Sequence, residues 1–173
     1  MAGDDVLVTY TEMCPASSSF YAWMGIAAAM AFSCLGSAYG TAKAGVGVMS
    51  AGLIKPSAAM KNTLPVIMAG ILGIYGLLTS IAIMANIGDM AVYPLYNSYA
   101  QLAAGLCTGF TSLSAGIALG VCGNAGVRAV ARKPRLFVVM LLILVLGEAL
   151  AIYGLIVSLI LALKAIDPAV YCV

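Results

Sequence analysis

The chain has 173 residues and a net charge of +2; 64% of its residues are hydrophobic, 8% are charged, and mean hydropathy is +1.10. A soluble domain carries about 25% charged residues, so this composition excludes one, and it is equally foreign to disorder. The lack of histidine removes histidine catalysis, histidine metal ligation and a histidine pH switch, and the small net charge argues against nucleic-acid binding.

Residues 1–19 read as a short polar tail. Asp4 and Asp5 stand where a secretory signal would carry basic residues, and no apolar region precedes Pro15. The first apolar stretch, 20–42, holds no charge, and the second covers 63–88. A loop at 89–94 carries Asp89. The third stretch, 95–127, has thinly spread polar residues, and the fourth, 136–163, contains one charge, Glu148. Residues 164–173 form a second tail. A helix crosses the hydrocarbon core with about 20 residues, so each stretch suffices. The runs are continuously apolar, unlike the alternating strands of about ten residues in a membrane β-barrel. The expected fold is all-α and integral to the membrane: two helical hairpins, 20–88 and 95–163.

Lys43, Lys55, Lys61, Arg128, Arg132, Lys133 and Arg135 fall at the two connections on one side. Asp4, Asp5, Glu12, Asp89 and Asp167 fall on the other, opposed by Lys164 alone. Basic residues mark the cytosolic side, so both tails and the Asp89 loop are expected in the lumen or outside the cell. Cys14 and Cys172 share that side, where a disulfide is permitted. Cys34, Cys107 and Cys122 lie in or near spans and suit small apolar packing.

The two hairpins are copies of one another. Ile74-Tyr75-Gly76-Leu77 recurs as Ile152-Tyr153-Gly154-Leu155, and at the same offset Lys55-Pro56, Phe32 and Ser80 match Lys133-Pro134, Phe110 and Ser158. Such a repeat is parallel, unlike the inverted repeats of many transporters. Gly36 and Gly40 in the first span echo Gly116 and Gly120 in the third. Small residues four apart let helix backbones approach closely in lipid. They suit the crowded inner layer of a two-layered ring, although packing within a single bundle explains them as well. Gly45-Val46-Gly47-Val48 reads as the end of the first helix, and Asn124 as a residue near the end of the third.

Glu148 lies 15 residues from Lys133 and 16 from Lys164, arms of about 22 to 24 Å in a helix, which puts it near the bilayer midplane. Its repeat partner is Gly70. No Lys, Arg or His lies within the apolar stretches to neutralise it. Protonating a glutamate at pH 7 costs roughly 3.7 kcal/mol, whereas an ionised carboxylate in hydrocarbon costs several kcal/mol or more. Glu148 is therefore expected to be neutral when it faces lipid and charged beside water or a cation, as a proton carrier must be. Either Tyr75 or Tyr153 could hydrogen-bond it, and Gly147 removes bulk beside it. Sodium would need several oxygen ligands. The second span offers none near Gly70, and the facing of Thr108, Thr111, Ser112 and Ser114 is open. No nucleotide loop is present, because Gly40-Thr41-Ala42-Lys43-Ala44-Gly45 does not fit the phosphate-binding pattern. Neither a cofactor nor a metal is expected, nor enzymatic activity from this chain alone.

Several segments together resemble the proteolipid c-subunit family of eukaryotic vacuolar-type H⁺-ATPases. They are Ala38-Tyr39-Gly40-Thr41-Ala42-Lys43-Ala44-Gly45-Val46-Gly47, Leu64-Pro65-Val66-Ile67-Met68-Ala69-Gly70, Pro134-Arg135-Leu136-Phe137-Val138 and Glu148-Ala149-Leu150-Ala151-Ile152-Tyr153-Gly154-Leu155. The resemblance covers roughly residues 20–163. It implies a homo-oligomeric or mixed proteolipid ring with the first and third helices inside. The ring would turn against a stator, the a-subunit, bearing an essential arginine, with a central-stalk subunit docked on the cytosolic loops and lipid around it. It also implies that Glu148 is the proton-carrying glutamate, that Tyr75 lies beside it, and that the chain acidifies vacuolar or other endomembrane compartments, or acts at the plasma membrane. The family's GDAGVR stands here as Gly123-Asn124-Ala125-Gly126-Val127-Arg128, which loses an acid, and Gly147 replaces a more usual Ala or Ser. Three other readings compete: a non-pumping pore or fusion scaffold, a compact proton-coupled exporter, and a sister proteolipid of the same ring.

Overall fold

The computed structural model describes residues 14, 15, 17–56, 60–88 and 93–164. Expectations about the tails, the Asp89 loop and Cys172 lie outside them. Cys14 is disulfide-bonded, while Cys34, Cys107 and Cys122 are free.

Among the described residues there are four long helices: α1 (Ser18–Ile54), α2 (Leu64–Ala85), α3 (Leu95–Arg132) and α4 (Phe137–Leu163). Each is long and apolar enough to cross a membrane. A bilayer core forces this choice, since helices satisfy every backbone group internally. Both α1 and α3 stop for the same reason. Lys55 and Lys133 each precede a proline, which disfavours helical backbone, and both are extended, at φ −141°, ψ 92° and φ −133°, ψ 98°. A 3-10 turn leads directly into each second helix, Lys61–Thr63 before α2 and Pro134–Leu136 before α4.

Helix α1 does not end at Gly45–Val48. It runs on to Ile54, and α3 likewise carries Asn124 inside the helix. The reason is tertiary: a Cβ on Gly47 would sit 2.7 Å from the Asn124 Cα. Gly47 is a contact point between two continuous helices and breaks neither.

Helices α1 and α3 run parallel in close backbone contact. Gly25 meets Gln101 and Gly105, Gly36 meets Ser112 and Gly116, and Gly40 meets Gly116 and Gly120. A Cβ on Gly36 would lie 2.7 Å from the Leu113 Cα, and one on Gly116 would overlap the Gly36 backbone. The two small-residue motifs therefore face each other. At one end the Ser18 hydroxyl donates to the Tyr93 carbonyl at 2.8 Å, tying the start of α1 to the start of α3.

Helix α2 packs on α1 where Gly76 meets Ser33, and α4 packs on α3 where Gly154 meets Thr111 and Gly126 meets Met140. The result is two layers, α1 with α3 and α2 with α4. Their shared core contains Leu72, Ala115, Leu119, Leu144 and Ala151, with Tyr75 packed against it.

Candidate functional site

Helix α4 is apolar almost throughout, and most of its surface is exposed on the isolated chain: Leu146, Leu150 and Tyr153 are all more than 60% accessible. Glu148 is not part of that surface. It is 8% exposed and shares a face with the fully buried Leu144 and Ala151, at i−4 and i+3. The sequence leaves open which helix contacts Glu148, and within the chain the carboxyl is folded onto the layer partner. A carboxyl that can hydrogen-bond inside the protein avoids hydrocarbon, where it would have no partner.

That partner is Tyr75. Its hydroxyl donates to Glu148 Oε1 at 2.6 Å, a short bond that joins α2 to α4. Glu148 Oε2 is buried with no hydrogen-bond partner among the described residues. Tyr153, the repeat equivalent of Tyr75, points away and is 62% exposed. The duplication is thus broken at the site: one half supplies the acid and the other the phenol.

The glycines around the carboxyl differ in what they do. Gly147 lies beside Leu119, whose Cδ2 would be 3.2 Å from an added Cβ, so the space there is already partly filled. Gly70 has open space where a side chain would stand, and its carbonyl accepts a long bond from the Ser37 hydroxyl at 3.4 Å.

The hydroxyls of α3 do not gather at Glu148. Thr108 instead joins Thr79 of α2 and Ser158 of α4 in a buried cluster, with oxygens 3.0 Å, 2.5 Å and 3.3 Å apart. Thr111 bonds carbonyls of its own helix, Ser114 does the same, and the Ser112 hydroxyl is buried without a partner among the described residues. Sequence reasoning missed this three-helix cluster. The match of Ser80 with Ser158 hints at a polar position, yet Thr79 rather than Ser80 reaches Ser158. Thr79 also donates to the Tyr75 carbonyl at 3.1 Å, which anchors the turn of α2 that aims the phenol at Glu148.

Among the described residues no cation pairs with Glu148. The site is one carboxyl and one phenol in an apolar surround. Such a group can hold a proton without a charge nearby, and it can give the proton up only where water or an external cation stabilises the anion. An oxygen cage able to replace the hydration shell of Na⁺ would need more donors than Tyr75 supplies.

The family model described as the ATP synthase C-subunit matches residues 24–83 and again 102–161, one match for each hairpin. The chain is 51% identical over 150 residues to the V-type proton ATPase 16 kDa proteolipid c-subunit of Ovis aries, covering 87% of this chain and 96% of that one. It is 45% identical over 155 residues to the V-type proton ATPase c-subunit of Candida tropicalis, covering 90% and 96%. Over 160 residues it is 44% identical to the V-type proton ATPase c'-subunit of Candida glabrata, covering 92% and 98%.

Proposed function

Because the chain belongs to the ATP synthase C-subunit family, we propose that it is a proton-carrying ring subunit in the membrane sector of a vacuolar-type rotary ATPase. Copies assemble into a ring, alone or with sister proteolipids, with α1 and α3 towards the centre and α2 and α4 outside. The observation that carries the reading is the lone buried acid of the spans, held by the Tyr75 hydroxyl at 2.6 Å.

Glu148 takes a proton from the cytosolic side, where the basic connections lie. Neutral and bonded to Tyr75, it crosses the bilayer zone of the rotating ring without a stranded charge. At the stator an arginine stabilises the carboxylate, and the proton leaves towards the lumen. Tyr75 shields the acid during transit and has to release it at the stator. Nucleotide chemistry belongs to a separate soluble sector. Both termini face the lumen or the exterior, and the protein serves an acidic endomembrane compartment or the plasma membrane.

A lipid-soluble carbodiimide reacts with protonated carboxyls, and mass spectrometry can place the adduct. Labelling is expected at Glu148, falling as pH rises, with ATP-driven acidification lost in step. An unlabelled Glu148, or labelling that leaves pumping intact, would make the acid structural and bring the scaffold reading forward. Tyr75→Phe tests the bond itself. A hydrogen bond between neutral groups is worth about 0.5–1.5 kcal/mol, so the variant is expected to label faster while pumping is slowed but not abolished. Labelling no faster than the parent chain would show that Tyr75 does not guard the carboxyl.

A second reading is a sister proteolipid of the same ring, favoured by the likeness to the c'-subunit of Candida glabrata. Complementation separates the two: an ordinary ring proteolipid of the c type restores acidification in cells lacking only that type, and a chain of the c' type does not.

A further inference from the structure

Away from Glu148, the basic end of the inner helix pair holds a cavity of about 350 Å³ lined by Tyr39, Lys43, Val121, Asn124, Ala125 and Arg128. All six lie on α1 and α3, so the cavity opens on the face of that pair turned from α2 and α4. We infer that it binds the phosphate of an anionic phospholipid.

The donor set matches that ligand. Lys43 supplies an ammonium group, 5.9 Å from the centre of the Tyr39 ring. Arg128 supplies a planar guanidinium that can grip two phosphate oxygens at once. The Asn124 amide nitrogen and the Tyr39 hydroxyl add neutral donors. No carboxylate answers the two cations: among the described residues the only acid is Glu148, which lies on α4 and is bonded to Tyr75. Asn124 is neutral, so the cavity keeps the positive charge of both cations.

The surroundings select a lipid over a free ion. Val121 and Ala125 make one wall of the cavity apolar. On the same faces, away from the basic end, Phe32 stacks on Phe110 with centroids 5.0 Å apart, and further along Tyr21 meets Tyr99 at 5.0 Å. From Phe32 to Lys43 is eleven residues, or about 16 Å of helix. An acyl chain can lie along this apolar strip while its phosphate sits between Lys43 and Arg128.

The test uses the protein purified from membranes in its native assembly, washed with mild detergent and offered phosphatidic acid, phosphatidylcholine or inorganic phosphate. Native mass spectrometry counts what stays bound. The parent protein is expected to prefer phosphatidic acid over phosphatidylcholine by roughly thirtyfold, as two basic groups at a membrane surface allow. Asn124→Asp, which is nearly isosteric, should erase most of that preference, and Lys43→Gln should lower it about fivefold. Lys43 is exposed, so its variant decides the matter if Asn124→Asp is not recovered intact. An unchanged preference in the recovered variants overturns the assignment. Phosphate binding without a preference for the anionic lipid would assign the site to the free ion and overturn the lipid.

Discussion

Membranes in which Glu148→Gln replaces the parent chain are expected to show no ATP-driven acidification above background. The amide is close in shape to the neutral acid and can keep a bond with the Tyr75 hydroxyl now 2.6 Å from Oε1. It cannot ionise at any physiological pH, so it neither takes up nor releases a proton. Folding should survive: Glu148 is 8% exposed, and a neutral group there costs less to bury than an ion. The measurement is dye-reported acidification of sealed vesicles, beside blotting for the chain. Pumping that persisted would remove Glu148 from the proton path and sink the reading.

Gly116→Leu is expected to prevent stable folding. An added Cβ would overlap the Gly36 backbone, and backbone cannot rotate aside as a side chain can. Overpacking commonly costs on the order of 3 kcal/mol, and here two parallel helices would have to separate along much of their length. The expected result is little or no recoverable protein in mild detergent. Gly45→Ala is the matched control, because no atom lies within 4 Å of its Cβ position. Alanine in a helix is favoured over glycine by about 0.5–1 kcal/mol, so that variant should melt at the same temperature as the parent or slightly above it. Equal recovery of Gly116→Leu and Gly45→Ala would show that the facing glycines are not what sets the helix spacing.

The helices were legible in the sequence because the hydrocarbon core imposes a length and a polarity that any window of the chain displays. Their ends were harder to read. The apolar signal fades where lipid stops, while α1 and α3 continue to Ile54 and Arg132 until proline follows. Glycine misled at Gly45–Val48, because a glycine that stops a helix and one that admits a neighbouring backbone look the same in sequence. The Gly36 and Gly116 motifs were readable as close-approach surfaces, but only the fold shows that they approach each other.

The site divides in the same way. That one acid lies deep in an apolar helix follows from composition and from the spacing to Lys133 and Lys164. That Tyr75 and not Tyr153 bonds it does not, since the two tyrosines sit in identical Ile-Tyr-Gly-Leu contexts. The difference comes from the layer in which each half is placed. Tyr75 on α2 faces α4, whereas Tyr153 on α4 faces outwards.

The class, the four membrane helices, the duplicated hairpin and a single carboxyl far from either end of an apolar helix are legible in the residues alone. Hydropathy, charge and repeat are properties of neighbouring residues and need no fold to be read. Helix packing sets the rest: Glu148 turns inward to a tyrosine 73 residues away, Thr79, Thr108 and Ser158 meet, and Lys43 and Arg128 share a cavity whose lining holds no acid. Each of these depends on the rotation of a helix about its axis. In a chain apolar on nearly every face, that rotation is set by close contact between backbones and not by hydropathy.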